Sequence, residues 1–486
     1  MRRFLYDHAD KSPVSFHMPG HKGSAIFRKY GYGKFLDNFM DMDVTEIPGA
    51  DNLFDANGII EDVQRRYADL YGVRRSWLSV GGTSASLIAS IMAVLDEGAK
   101  KAAPKLIIAR NCHKAVYNGL TLAGGQPVYA YPDIIDGYGI SGEVTADEIE
   151  RCIRQAPDAA GVVVTSPNYY GICSDIAKIA DAVHRAGMIL IVDQAHGAHL
   201  KFFHKYGCDR ICIHNNRKVL PPAAEDQGAD IVCNSTHKTL ASMTQSAILN
   251  LCSDRICPGS IEEKLQMIES SSPSYVLMTS LDINAEIIER HGQELFENWR
   301  RDLEWFYSNA VAEMELTGLP SETKQSLFDL TKINIDLGIP GSELEKELNK
   351  RAIFPELYAG NMLMCMTGIG NVRSDYEKLL IALRQIQEKA SPGRTLEGAS
   401  HGCSVVKVPR AGDMKGIPIR KEKVPLGDAE GRVCAASITP YPPGSPIVCP
   451  GEEITREIID YLKNLIDEGL KIIGIDHNQN ILVGEE

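Results

Sequence analysis

The chain has 486 residues, a formal net charge of −13, 44% apolar and 24% charged residues. At roughly 150 residues per domain, that allows several domains and a large buried core. The acidic balance, with no run of five or more Lys/Arg, excludes the basic face of a nucleic-acid binder. No apolar stretch is long enough to span a membrane, and MRRFLYDHADK lacks the apolar segment of a secretory signal. The 12 cysteines include no CxxC pair and read as reduced thiols, so a cytoplasmic protein is expected.

In chain order, residues 1–60 are rich in Gly, Pro, His and Asp (FHMPGHKGS, TEIPGADNLFDANG) and read as an irregular but ordered arm. IIEDVQRRYADLYG predicts an amphipathic helix ended by Gly72. WLSVGGTSASLIASIMAVLDEG predicts a strand, a Gly-rich turn and a helix. Alternation follows: strands at KLIIAR (105–110), PVYAYP, GVVVTS (161–166), MILIVDQAH (188–196) and ADIVCNSTHK (229–238). Helices lie between them, one opened by a Thr145/Glu148 capping box. Short continuous apolar strands separated by helices predict an α/β domain with a mainly parallel sheet covered on both faces. Residues 285–318 read as a long helix, followed by strands and helices of a smaller α+β domain. The predicted organisation is an arm (1–45), a large α/β domain (46–290), a small α+β domain (291–390), and a linker with a C-terminal domain (391–486), the linker around 391–402.

Open α/β sheets bind ligands at the carboxyl ends of their strands. Gly81-Gly82-Thr83-Ser84 precedes a helix there, so free N–H groups and two hydroxyls make a phosphate cradle, or a plain helix cap. Asp193 ends an apolar strand, where a carboxylate needs a cation or several donors. Lys238 follows a strand among Ser235, Thr236 and His237 and is a candidate Schiff-base amine, or a surface lysine. His113 follows another strand and can stack on a planar ligand. Together they fit pyridoxal 5'-phosphate, which needs a lysine for its aldehyde and a carboxylate for its pyridine nitrogen. It also needs a helix terminus for its phosphate and a flat group against its ring. The chain order matches the aspartate-aminotransferase-like fold. A metal centre is not indicated: His17 and His21 flank Pro19-Gly20, and His196 and His199 lack a further ligand.

Seven blocks resemble the ornithine/lysine/arginine decarboxylase family of fold-type I pyridoxal-phosphate enzymes. They are FHMPGHKG (16–23), TEIPGADNLF (45–54), RNCHKA (110–115), TSPNYYG (165–171), VDQAHGAH (192–199), STHKTLASMTQSAIL (235–249) and PYPPGSPIVCPGEEIT (440–455). The chain is similar to the short form, which lacks an N-terminal receiver-like domain. The resemblance implies that Lys238 forms the Schiff base, Asp193 holds the pyridine nitrogen and His113 stacks on the ring. Thr83, Ser84, Ser235 and His237 would hold the phosphate. Ser270 in SSSPSY would reach the phosphate of a second subunit, giving a homodimer with shared sites. The chain departs from the family at Gln194, where Glu is common, at Ala115 for Ser, and at Asn168 for Thr.

On this reading the substrate is arginine, lysine or ornithine, decarboxylated to the corresponding amine for polyamine metabolism. Lys238 or His196 would return a proton to the α-carbon, and Glu452 or, second, Asp51 would meet the distal cation. No nucleic-acid or membrane partner is expected. The alternatives are an aminotransferase or another lyase on the same fold, for which Arg373 would grip the α-carboxylate, and a catalytically silent homologue.

Overall fold

A computed structural model describes residues 1–98, 104–135, 138, 140–213, 216–311, 327–390, 409–441, 445–467 and 469–485. The linker expected around 391–402, residues 442–444 of the PYPPG segment and the end of the helix expected to reach 318 lie outside the described residues.

Seven strands form the central sheet: β1 (Arg75–Ser79), β2 (Lys105–Ala109), β3 (Gln126–Ala130), β4 (Gly161–Thr165), β5 (Ile189–Asp193), β6 (Ile231–Asn234) and β7 (Ala247–Leu251). Their order is β1-β7-β6-β5-β4-β2-β3. β2 to β6 run parallel, as the sequence predicts. β7 is the exception, antiparallel to both β6 and β1.

Helices α1 (Ile59–Tyr71), α2 (Gly82–Gly98), α3 (Lys114–Leu122), α4 (Ala146–Gln155) and α5 (Ile176–Arg185) belong to the same region. Side chains alternate across each strand. Ile108, Val163, Ile191 and Cys233 therefore share one core with Leu87 of α2 and Leu120 of α3. Their neighbours Ile107, Val162, Val192 and Val232 face the opposite core, with Ile149 of α4 and Val183 of α5. Each fully buried aliphatic side chain of this kind contributes roughly 1.5–3 kcal/mol. The same alternation puts Thr165 and Asp193, two places beyond Val163 and Ile191, on the α2 side of the sheet. The capping box at α4 is half made. Thr145 accepts from the Glu148 N–H at 3.2 Å, while the Glu148 carboxylate accepts from the Tyr131 N–H at 2.8 Å.

After β6 comes the short turn α6 (Thr236–Thr239), and later the long helix α7 (Tyr275–Val311). α7 starts ten residues before the expected 285, because the Ser274 hydroxyl caps it by accepting from the Leu277 N–H at 3.3 Å. Beyond it, β8 (Lys332–Ile335), β9 (Leu357–Ala359) and β10 (Met362–Met366) form an antiparallel sheet in the order β8-β10-β9. Helix α8 (Arg373–Ala390) covers it, and Trp299, Phe306, Ile333 and Leu383 join the core there. The last segment carries α9 (Arg456–Asp467) and a core of its own, including Leu426, Ile438, Ile458, Leu462 and Ile481.

The HMPGHKG arm is wedged between α6 and the loop after β10. The Gly20 N–H donates to the His237 carbonyl at 2.7 Å, Gly370 N–H to Gly20 O at 3.0 Å, and Ile369 N–H to Thr239 O at 2.9 Å. A Cβ at Gly20 would fall among the main-chain atoms of Thr239 and Leu240, so only glycine allows this approach.

Candidate active site

Strands that run the same way end on the same edge, so the termini of β1, β2, β4, β5 and β6 open together. At the end of β1 the chain turns into α2 through Gly82, at φ +72°, a left-handed conformation that favours glycine. Thr83 Oγ1 and Ser235 Oγ lie 2.9 Å apart, joining the start of α2 to the end of β6. With the free N–H groups of the first α2 turn they form an anion cradle. Ser84 is exposed at the same helix start. His237 Nδ1–H donates to the Ser246 carbonyl at 2.7 Å, and burial pushes its pKa down to about 4. That bond commits Nδ1 to the main chain, so His237 braces the turn.

Asp193 is 3% exposed and accepts from the Ala195 N–H at 3.1 Å. Burial raises its pKa, opposed by Lys238. Lys238 Nζ lies 2.9 Å from His196 Nε2 and 5.6 Å from the centre of the Tyr169 ring. Burial lowers its pKa to about 8, against the pull of Asp193 and Glu356. His196 is driven well below its usual range by burial and by Lys238, so its imidazole is neutral. His113 caps α3, its Nδ1 accepting from the Ala115 N–H at 3.2 Å. Burial and Lys238 hold it at about 4, a neutral ring.

Among the described residues, four buried polar atoms around these strand ends have no hydrogen-bond partner: His196 Nδ1, Thr165 Oγ1, Arg110 Nε and Asn111 Oδ1. Thr165 is the register partner of Asp193 across β4 and β5. Buried polar groups left unpaired cost roughly 1–3 kcal/mol each, so such a set points to a ligand. A flat heterocycle with a cationic ring nitrogen, a phosphate and an aldehyde matches the donor set, and pyridoxal phosphate is such a group.

Other expected site residues make contacts of their own. Glu452 is fully buried; it accepts from Cys449 N–H at 2.7 Å, pairs with Arg110 at 3.3 Å, and takes the Tyr129 hydroxyl. Arg110 also donates to the carbonyls of Pro446 and Ile447 at 2.6 and 2.7 Å. Glu452 thus fastens the C-terminal segment to the end of β2, its carboxylate engaged by the protein's own groups. Asp51, at φ +66°, accepts the N–H groups of Asn52, Gly58 and Ile60 at 2.9 Å each and so caps α1. It too is committed. Ser270 is exposed, its hydroxyl accepting from the Ser272 N–H at 3.2 Å. Arg373, the residue the aminotransferase alternative would use, pairs with Asp302 at 2.8 Å and lies over Trp305.

The three departures from the family pattern are also placed. Gln194 and Asn168 are buried and bond to the protein's own groups, Asn168 to Ser141 O and to the N–H groups of Tyr170 and Ile172. Ala115 is buried in the first turn of α3.

The sequence reading misses Tyr169, whose ring centre is 4.2 Å from that of His196, and Thr165. Both stand inside the TSPNYYG block, in which the sequence singles out Asn168 alone. Lys22 is missed as well: its Nζ donates to Met366 O at 3.0 Å and to His17 O, and burial takes its pKa to about 7.

A mainly parallel sheet with one antiparallel strand, a phosphate cradle, an aspartate and a lysine at its strand ends define a fold-type I pyridoxal-phosphate enzyme. Comparison with known proteins narrows this. The profile of the Orn/Lys/Arg decarboxylase major domain matches residues 1–304, and that of the C-terminal domain matches 399–479. An arginine decarboxylase of Bacillus subtilis (strain 168) is 32% identical over 97% of this chain and 94% of its own. The lysine decarboxylase LdcA of Pseudomonas aeruginosa is 24% identical, over 95% of this chain and 75% of its own. In fold, the chain is similar to the Francisella novicida lysine decarboxylase LdcF, with TM-score 0.73 at 20% identity, covering 96% of this chain and 78% of that one. The chain belongs to the Orn/Lys/Arg decarboxylase family and is an enzyme of that decarboxylase class.

Proposed function

We propose that the protein decarboxylates a basic amino acid, arginine first among arginine, lysine and ornithine, with pyridoxal phosphate held at Lys238. The observation that carries this is the Lys238 amine, 2.9 Å from a neutral His196, at strand ends shared with the buried Asp193. The near-full-length likeness to a Bacillus arginine decarboxylase favours arginine. When bound, the cofactor supplies an electron sink for the pair left on the α-carbon as carbon dioxide departs.

The chain's own residues do the rest. Thr83, Ser235 and the α2 N-terminus bind the phosphate, with Ser84 at the rim. Asp193 would keep the pyridine nitrogen protonated, and the neutral His113 ring would lie against the cofactor. Each turnover consumes one proton at the α-carbon, and Lys238 Nζ, beside His196 Nε2, delivers it. With Glu452 and Asp51 engaged elsewhere, Glu356 is the carboxylate that acts on Lys238 besides Asp193. One of its oxygens accepts from the Met18 N–H at 2.8 Å. On this reading Glu356, which also acts on the buried Lys22, would meet the substrate's distal cation. Exposed Ser270 supports a homodimer in which each subunit completes the other's phosphate site. Among the described residues no helix is long and apolar enough to cross a membrane. A cytoplasmic location and a supply of amine to polyamine formation belong to the same reading.

The test supplies the protein and pyridoxal phosphate with equimolar arginine, lysine and ornithine, beside a Lys238→Ala control, and identifies products by mass spectrometry. Agmatine that is absent from the control is the expected result. A keto acid in place of an amine would overturn the decarboxylase reading.

A further inference from the structure

Beneath the candidate site lies a buried ionic cluster that the reaction as described does not use. Lys332, the first residue of β8, donates from Nζ to Asp329 Oδ2 at 2.8 Å, to Thr331 Oγ1 at 3.2 Å and to the His196 carbonyl at 2.9 Å. Asp329 Oδ2 also meets His199 Nε2 at 3.1 Å, and Asp329 Oδ1 accepts from the Thr331 N–H at 3.0 Å. On its other side, His199 Nδ1 is 3.2 Å from Thr239 Oγ1. Asp329, Thr331, Lys332, His199 and Thr239 are all 0% exposed.

The chain positions give this cluster its meaning. Asp329, Thr331 and Lys332 stand at the entry to the β8-β10-β9 sheet. His196 and His199 follow β5, and Thr239 is the immediate neighbour of Lys238. One arm of the cluster therefore ends on the main chain of His196 and the other beside Lys238, the two residues whose side chains meet at 2.9 Å. Lys332 and His199 hold the Asp329 carboxyl below the usual carboxylate range even though burial opposes them, while burial keeps His199 neutral. A buried ion pair is weak as a stabiliser, because an apolar pair of similar volume is often at least as stable. Its retention here needs a reason other than stability.

We propose that Asp329, Lys332 and His199 are positioning residues that hold His196 and Lys238 in register, so that docking of the β8-β10-β9 sheet sets the geometry of the reactive amine. Misplacement of a reacting group by about 1 Å can cost roughly a hundredfold in rate. The His196 main chain has an ammonium as its anchor. The Lys238 turn has a hydroxyl fixed by a neutral imidazole, which a carboxylate orients in turn. The inference rests on Lys238 being the amine that carries the cofactor.

The test uses the cofactor-loaded enzyme and the double variant Asp329→Leu with Lys332→Met, which removes both charges together and so leaves none unpaired. Thermal unfolding reports whether it folds. The readouts are kcat and KM, and the pH midpoint of the visible absorbance that depends on Lys238. The charged or titratable groups coupled to Lys238 are Asp193, Glu356, Lys332, His196, His113 and His237; Lys332 lowers its pKa. Removal of Lys332 is therefore expected to raise the midpoint, with the loss of Asp329 opposing it in part. It should also lower kcat about tenfold or more, with KM within about twofold. A folded double variant with unmoved kcat and midpoint overturns the proposal. If the double variant does not fold, Thr239→Val decides, since it only cuts the His199 arm. There a fall in kcat with KM unchanged supports the proposal, and wild-type kcat overturns it. A wild type without a Lys238-dependent absorbance is a different failure, that of Lys238 as the cofactor's amine.

Discussion

Gln194 Nε2–H donates to the Glu225 carboxylate at 2.8 Å, one residue after Asp193. The same carboxylate accepts from Asn234 Nδ2 at 2.7 Å and Asn250 Nδ2 at 2.9 Å, while Gln194 Oε1 accepts from the Ala224 N–H at 2.7 Å. Position 194 thus serves a polar network that braces β5 and β6, and the departure from glutamate follows from Glu225 standing opposite it.

Gln194→Glu would set two carboxylates against each other in a site where residue 194 is 1% exposed. The introduced carboxyl would have a folded-state pKa above its unfolded value. Its cost is therefore full above the folded pKa and fades as pH falls toward the unfolded value. Urea unfolding should show a loss of about 1–3 kcal/mol at pH 8 and a smaller one at pH 5. Affinity for pyridoxal phosphate should stay at the wild-type level. A variant as stable as wild type at pH 8 contradicts this account.

Gly20 is the second sensitive position. A methyl there meets the backbone of Thr239 and Leu240, which has no side-chain rotamer with which to yield. Gly20→Ala should lower stability by about 1–3 kcal/mol. It should also weaken cofactor retention, because the displaced turn is the one that carries Lys238. Retention is read by absorbance after gel filtration. Full occupancy in a folded variant would show that the arm does not support the turn.

The comparison of sequence with structure turns on which physical signals are local. Strands such as ILIVD and GVVVT announce themselves because they are buried on both faces, and parallel order follows from the intervening helices. Nothing local marks β7 as antiparallel, since its direction depends on where β1 and β6 leave a gap. The cradle, Asp193 and Lys238 stand out in the sequence because each has an unusual residue type at a strand end. Glu452 and Asp51 stand out for the same reason, yet a carboxylate in a distinctive motif reads the same whether it faces a ligand, an arginine or a helix N-terminus. The Asp329–Lys332–His199 cluster was invisible, because His199 lies 130 or more residues before Asp329 and Lys332 and meets them only in three dimensions.

Capture of the cofactor should depend on pH through Lys238. The neutral amine is the nucleophile, and burial brings its pKa from about 10.4 for free lysine to about 8. In stopped-flow absorbance with the cofactor-free protein, the second-order rate should rise with pH to a midpoint near that value. Asp193 raises the Lys238 pKa, so Asp193→Asn should shift the midpoint downward. A midpoint at the free-lysine value would place Lys238 in water.

The roles assigned to Glu452 and Glu356 separate cleanly in a pair of variants. Glu452→Gln strips Arg110 of its buried counter-charge at the junction of β2 and the C-terminal segment. Breaking such a pair by removing one partner costs roughly 3–5 kcal/mol, because the remaining charge is stranded. The expected result is a large fall in unfolding temperature, with the KM for arginine close to wild type in the protein that remains folded. Adding Arg110→Met should recover much of the lost stability. Glu356→Gln is expected to do the reverse: a small change in stability, since the amide oxygen still accepts from Met18 N–H, and a KM for arginine raised about tenfold or more through loss of a charge-assisted contact. Activity measured over arginine concentration, beside thermal unfolding of each variant, distinguishes them. If Glu452→Gln instead raises KM without lowering the unfolding temperature, Glu452 meets the substrate and its pairing with Arg110 is incidental.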